Sequence, residues 1–165
     1  MISKKIEAAI NKQINEELYS GQIYLSMAAY FERETFSGFA NWAFIQYQGE
    51  GTHAKRFYDH IINRSGSVTL DKIAAPKTNW TSPINALKDS LAQERKVTGL
   101  IYNLVTLARA EKDYAADNML QWFVNEQIEE EYEAETILKK LEFLDGSTSG
   151  MLALDRELAQ RKFEE

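Results

Sequence analysis

The chain has 165 residues, 44% of them hydrophobic and 27% charged, a balance that favours one soluble domain with an apolar core. It has no cysteine, which excludes disulfides, thiolate metal sites and a cysteine nucleophile and fits a reducing compartment, so a cytoplasmic location is expected. A net charge of −6 makes nucleic acid a poor partner and cations a good one, while no stretch approaches the ~18 apolar residues of a membrane span and the N-terminus MISKKIEAAINKQINEE has no apolar run to read as a secretory signal.

With 2 prolines and 8 glycines, long helices are permitted, and the apolar pattern is helical from end to end. A first helix, near 4–33, carries the stripe Ile10, Ile14, Glu17, Gly21, Tyr24, Ala28 and Phe31, with spacings that alternate between four and three. A second, near 38–65, repeats the alternation through Phe39, Ala43, Gln46, Glu50, His53, Phe57 and His60. The segment GSVTLDKIAAPKTNWT follows, long enough to carry the chain back along the bundle and make the helices on either side of it parallel. Ser82-Pro83 then reads as an N-cap with Pro at the first helical position. The third helix, near 83–111, carries Ile84, Leu87, Leu91, Glu94, Thr98, Ile101, Val105 and Ala108, and the fourth, near 114–143, carries Leu120, Phe123, Gln127, Glu130, Ala134, Ile137 and Leu141. Gly66 and Gly146 are candidate helix terminators, and a short fifth helix is expected near 148–162. The expected object is all-α: one domain over 1–165, with a four-helix bundle near 4–143, a long crossover between helices two and three, and a C-terminal helix.

All four stripes are interrupted at mid-length by groups that ligate metals. A lone Glu in a stripe more often sits at a boundary and reaches water, and a lone Glu-x-x-His pair is more often surface decoration. Four interruptions at matching heights are different. Burying one ion costs several kcal/mol, and Glu17, Glu50, Glu94 and Glu130 converging in one core would repel one another or protonate. Cations make the arrangement sensible: four carboxylates bring about −4 and two divalent metals about +4. Carboxylates with one imidazole suit Fe²⁺, Mn²⁺ or Zn²⁺. Glu50 and His53, three apart on one face, can share an ion with Glu17, whereas the fourth helix offers Gln127 and Glu130 with no second His. Two unequal positions are therefore expected, the tighter one at Glu17, Glu50 and His53. His60, two turns beyond His53, is expected to be a core residue or to support the site from behind its ligands.

The phrases NEELYSGQIYLSMAAYFE, EGTHAKRFYDHI and NEQIEEEYEA resemble the ferritins, specifically the non-haem bacterial kind related to animal heavy chains, and the resemblance covers nearly the whole chain. It implies a ferritin-like bundle with an intrasubunit di-iron ferroxidase centre. Glu17, Glu50 and His53 would hold the first iron, Glu50 would bridge, Glu94 and Glu130 would hold the second, and Gln127 would lie on the dioxygen side. Tyr24 matches a family tyrosine that supplies an electron, with Trp122 as a neighbour in that supply. The resemblance also implies self-association into a hollow shell of twenty-four subunits that stores ferric mineral.

A third iron site, present in many bacterial members, would use Glu126, Glu129 and Glu130 plus a carboxylate at position 49. That position is Gly49, so the site is expected to be missing or altered in affinity; the acidic run including Glu131 reads equally as a solvated face. Gly49 and Gly51 flank Glu50 and are expected to loosen the helix there, each at a cost of ~1 kcal/mol relative to Ala. No haem is expected: Thr52 stands where haem-binding relatives place a Met, and the second Glu-x-x-His is absent. The competing readings are a di-iron oxygenase or peroxidase acting on a substrate other than iron, a non-catalytic shell subunit, and a purely structural bundle.

Overall fold

The computed structural model describes residues 1–163. Five helices follow the periodic segments: α1 (Lys4–Arg33), α2 (Ser37–Asn63), α3 (Pro83–Ala110), α4 (Tyr114–Phe143) and α5 (Thr148–Leu158). Side chains that satisfy free backbone amides set where α1, α3 and α4 begin. Ser3 accepts from the Ile6 amide, Ser82 from Asn85 ahead of Pro83, and Asp113 from Ala116. Helix α2 has no such residue of its own, because Phe36 occupies its cap. Asp155 of α5 supplies the oxygen instead: the amides of Gly38 and Phe39 donate to its Oδ1 at 2.8 and 3.0 Å. Gly38 is required there, since a Cβ would stand 1.7 Å from the Asp155 carbonyl oxygen.

Helix α5 stops at Leu158, short of the expected 162. Asn41 Nδ2 donates to the carbonyls of both Leu158 and Arg161 at 3.1 Å, which satisfies the helix end and pins the chain that follows. The terminator of α2 also differs in detail from expectation. Ser65 holds the left-handed conformation (φ 58°), and Gly66 closes the turn by donating its amide to Ile61 O at 2.9 Å. Gly66 is needed for space, with a Cβ there falling 2.7–2.8 Å from Glu7, Ile2 and Ile61. Gly146 does take a left-handed φ, of 78°.

The crossover lies along α1. Asn11 donates to Ser67 O at 3.0 Å, Asn15 to Lys72 O at 3.3 Å, Ser26 to Lys77 O at 2.6 Å and Arg33 to Thr78 O at 2.9 Å. The segment thus carries the chain from one end of α1 to the other, and α2 and α3 run parallel, as its length suggests. Two apolar clusters fill the bundle. One is built around Tyr24, Phe31, Phe39, Trp42 and Leu87; the other around Ile10, Ile14, Phe57, Ile101 and Phe123. Between them the core is polar.

Candidate metal centre

That polar layer is made where the four stripes are interrupted. Glu17, Glu50, His53, Glu94 and Gln127 are each at most 5% exposed, and Glu130 is half-buried. One ligand atom from each of Glu17, Glu50 and His53 lies within 4.8 Å of the others. His53 Nδ1 is 3.3 Å from Glu50 Oε2 and 4.0 Å from Glu17 Oε2, while Nε2 faces Glu126 Oε1 at 3.7 Å. A carboxylate facing Nε2 favours the tautomer that keeps its proton there and leaves the Nδ1 lone pair for an ion. The same imidazole joins a second group that could hold a cation, with Glu126 and Glu130.

Hydrogen bonds orient the carboxylates. Gln13 Nε2 donates to Glu17 Oε1 at 2.8 Å, yet Glu17 Oε2 is buried with no hydrogen-bond partner among the described residues. The Tyr24 hydroxyl donates to Glu94 Oε1 and lies 3.0 Å from Ser90 Oγ. Gln127 Nε2 donates to Glu94 Oε2 at 3.3 Å and to the Glu94 carbonyl at 3.2 Å, and Gln46 donates to Glu130 Oε2. Gln13 and Ser90 carry no obvious ligand chemistry and escape a reading of the sequence, while Gln46 shows only as a member of the second helix's stripe with no role of its own. Their signal is position: Gln13 and Gln46 each stand one turn before a core glutamate, Glu17 and Glu50, and Ser90 stands one turn before Glu94.

Electrostatics record the cost of this layer in the metal-free chain. Burial pushes the Glu17 carboxyl up to about 8, with Glu50 adding to the rise, and pushes Glu50 up to about 7, with Glu94 and Glu130 adding. Burial raises the Glu94 and Glu130 pair as well. Burial works against a charged His53, but Glu126, Glu50 and Glu17 outweigh it and hold the imidazole well above its ordinary value. Burial and then Glu94 keep Tyr24 protonated, so it remains a donor.

The remaining candidates fall at varied distances from this layer. Glu129 is exposed and lies outside both cation-compatible groups, and Glu131 accepts from Thr98 Oγ1 at 2.5 Å. The aromatic neighbour of Tyr24 is Trp42, edge-on with centroids 5.8 Å apart. Trp122 packs instead against His53 at 5.6 Å and carries the Arg56 guanidinium 3.8 Å over its ring. His60 is half-buried and meets Arg64 at 3.2 Å, part of the contact between Arg64 and Asp113 at the far end of α2. A Cβ at either Gly49 or Gly51 would meet nothing within 4 Å, and the Thr52 hydroxyl donates back to the Gly49 carbonyl at 2.7 Å. No helix among the described residues is long and apolar enough to cross a membrane.

Known proteins are similar to this chain in sequence and in fold. The ferritin-like domain family matches residues 7–144. A bacterial non-heme ferritin of Staphylococcus epidermidis is 43% identical over 165 residues, all of this chain and 99% of that one. One from Bacteroides fragilis is 44% identical over 161 residues, 98% of this chain and 100% of that one. Among solved structures, an engineered closed form of the Archaeoglobus fulgidus ferritin superposes with a TM-score of 0.98 at 42% identity, covering 99% of this chain and 100% of that one. The open pore ferritin of the same archaeon gives 0.97 at 42% identity, covering 98% and 100%. A polar, carboxylate-rich layer inside a bundle with this crossover, matched along the full chain by bacterial non-heme ferritins, places the protein in the ferritin family of iron-storage proteins.

Proposed function

We propose that Glu17, Glu50, His53, Glu94, Glu130 and Gln127 form a ferroxidase centre at which two Fe²⁺ ions, the substrate, are oxidised by dioxygen. Each Fe²⁺ gives one electron, so a pair delivers the two electrons that, with two protons, take dioxygen to hydrogen peroxide. Glu17, Glu50 and His53 hold the first ion, Glu50 bridges, and Glu94 and Glu130 hold the second. Gln127, which bonds to Glu94, lies at the dioxygen side. The protein's contribution is geometry and charge: it keeps two ions close enough for a two-electron step and supplies carboxylates that balance their charge. By resemblance to the family, Tyr24, whose hydroxyl donates to Glu94, would give a further electron and proton to dioxygen only where its reduction goes beyond peroxide, leaving a tyrosyl radical. Ferric product leaves from that less fully ligated position and collects inside a shell built by self-association, twenty-four chains by resemblance to the family.

The observation that carries this reading is the Glu17 Oε2 atom, buried beside Glu50 and His53 with no hydrogen-bond partner among the described residues. A buried carboxylate oxygen without a donor is costly, and a cation bound there removes the cost. The test is aerobic addition of Fe²⁺ to the apoprotein, followed by ferric absorbance, with Glu50→Ala in parallel. A fast phase that saturates at two irons per chain, is lost in the variant, and precedes slower uptake into a soluble high-mass particle supports the proposal. Oxidation that stops at two irons and never mineralises would favour an enzyme acting on another substrate.

A further inference from the structure

On the α2 and α4 side the paired site opens into a cleft of about 330 Å³, with Gln46, Gly49, His53, Glu126 and Glu130 on its walls. The tail that follows α5 supplies Arg161 and Phe163 to the same cleft. Arg161 is firmly placed. Its carbonyl accepts from Asn41 Nδ2 at 3.1 Å, and its Nη2 pairs with Glu133 Oε2 at 2.9 Å. Glu133 is held in turn by Trp42 Nε1, which donates to its other oxygen at 3.1 Å. Arg161 Nη1 is buried and has no hydrogen-bond partner among the described residues.

The charges beside the guanidinium are mostly acidic, Arg56 over the Trp122 ring being the other cation near this face. Helix α4 brings Glu126, Glu130 and Glu133 to this face, and Glu126 and Glu130 with His53 are spaced to hold a cation of their own. Among the residues lining the cleft, Arg161 carries the fixed positive charge, on the same walls as Glu126 and Glu130. Position 49 is Gly, and a Cβ there meets no atom within 4 Å, so no neighbour fills the space on that side.

We propose that the Arg161 guanidinium is the built-in cation of this cleft, occupying by charge the role of a third metal ion and keeping such an ion from binding between Glu126 and the outer side of Glu130, so that each chain holds two ions and not three. The proposal rests on the paired site described above. Two effects act together: the guanidinium already balances part of the acidic face, and a divalent ion at Glu126 and Glu130 would have to bind close to a like charge. Delivery by the tail makes the tail, and not the bundle, the element that sets the number of ions.

The test compares wild type, R161K and R161Q by anaerobic Fe²⁺ titration in a calorimeter, with unfolding midpoints confirming that each is folded. Wild type and R161K are expected to saturate at two Fe²⁺ per chain, and R161Q at three, the third bound at least tenfold more tightly than any further ion wild type accepts. Adding E126Q to R161Q is expected to return the count to two. A folded R161Q that still stops at two, or a wild type that takes three, overturns the assignment while leaving the paired site standing. If wild type binds no Fe²⁺ at micromolar concentration, the paired site and this inference fall together. R161K separates charge from hydrogen bonding: a merely structural role for Arg161 would make R161K and R161Q behave alike.

Discussion

Replacing Glu17 by Gln in the metal-free protein asks whether this layer exists for cations or for stability. The Glu17 carboxyl sits near 8 in the folded chain, against 4.5 for an unhindered one. The folded state therefore binds this proton more tightly than the unfolded state does. The stability linked to it is fully present below 4.5 and is lost as pH rises through about 8. Each tenfold difference in proton affinity is worth about 1.4 kcal/mol, so by pH 9 the charged, buried carboxylate costs on the order of 5 kcal/mol. Gln is neutral and of the same shape, and its carbonyl still accepts from Gln13. The apo variant should then unfold roughly 10 °C above apo wild type at pH 9, taking about 2–4 °C per kcal/mol for a chain of this length, and coincide with it near pH 5. Thermal unfolding of chelator-treated protein at both pH values is the assay. Excess Fe²⁺ under argon should reverse the order, because wild type gains a ligand that the variant binds poorly. Midpoints that match at pH 9, or a less stable variant there, would refute the argument that Glu17 is buried at a cost.

Three further outcomes are expected. Tyr24→Phe removes the hydroxyl donated to Glu94 and should slow the fast ferric phase in stopped flow by roughly tenfold while leaving two Fe²⁺ bound per chain; equal rates would take Tyr24 out of the reaction. Gly38→Ala forces a Cβ to 1.7 Å from Asp155 O, so the contact that starts α2 must break, and the unfolding midpoint should fall by the equivalent of about 3 kcal/mol; an unchanged midpoint would contradict the packing. Glu17 and Glu50, near 8 and 7 in the apo chain, must lose protons to bind iron, so Fe²⁺ affinity should drop as pH falls from 8 to 6, with proton release measurable by calorimetry in buffers of different ionisation enthalpy; a pH-independent affinity would count against it.

The bundle was readable because its stripes keep a strict alternation of three and four, so helix type and phase follow from burial alone. The crossover's course followed from its length. What escaped the sequence depended on contacts between distant segments. Asp155 serves as the cap of α2 from the far end of the chain, and nothing near Phe36 announces it. Ser65 takes a left-handed conformation beside a glycine that is needed for space, so glycine position alone misplaces the turn. Thr35 and Lys112 end α1 and α3 in the same conformation with no glycine at all.

At the site the pattern was the same. Glu17, Glu50, His53, Glu94, Gln127 and Glu130 stood out as breaks in apolar stripes. Of the residues that orient them, Gln13 and Ser90 look in sequence like ordinary polar positions on a helix, and Gln46 is marked as a stripe position but not as a partner of Glu130. Trp42 rather than Trp122 packs on Tyr24 because Trp42 lies at that height of α2, whereas Trp122 lies at the height of His53. Arg161 reaches the cleft only because α5 folds back on α2, which no local pattern reveals.

On this reading the polar layer holds two ions between the four helices. A crystal soaked anaerobically with Fe²⁺ and measured on both sides of the iron absorption edge tests it most directly. The expected result is two anomalous peaks in each chain, one among Glu17, Glu50 and His53 and the other among Glu50, Glu94 and Glu130, the first filling at lower iron concentration. Iron found only on Glu126 and Glu130, or a single peak at saturation, would contradict the account.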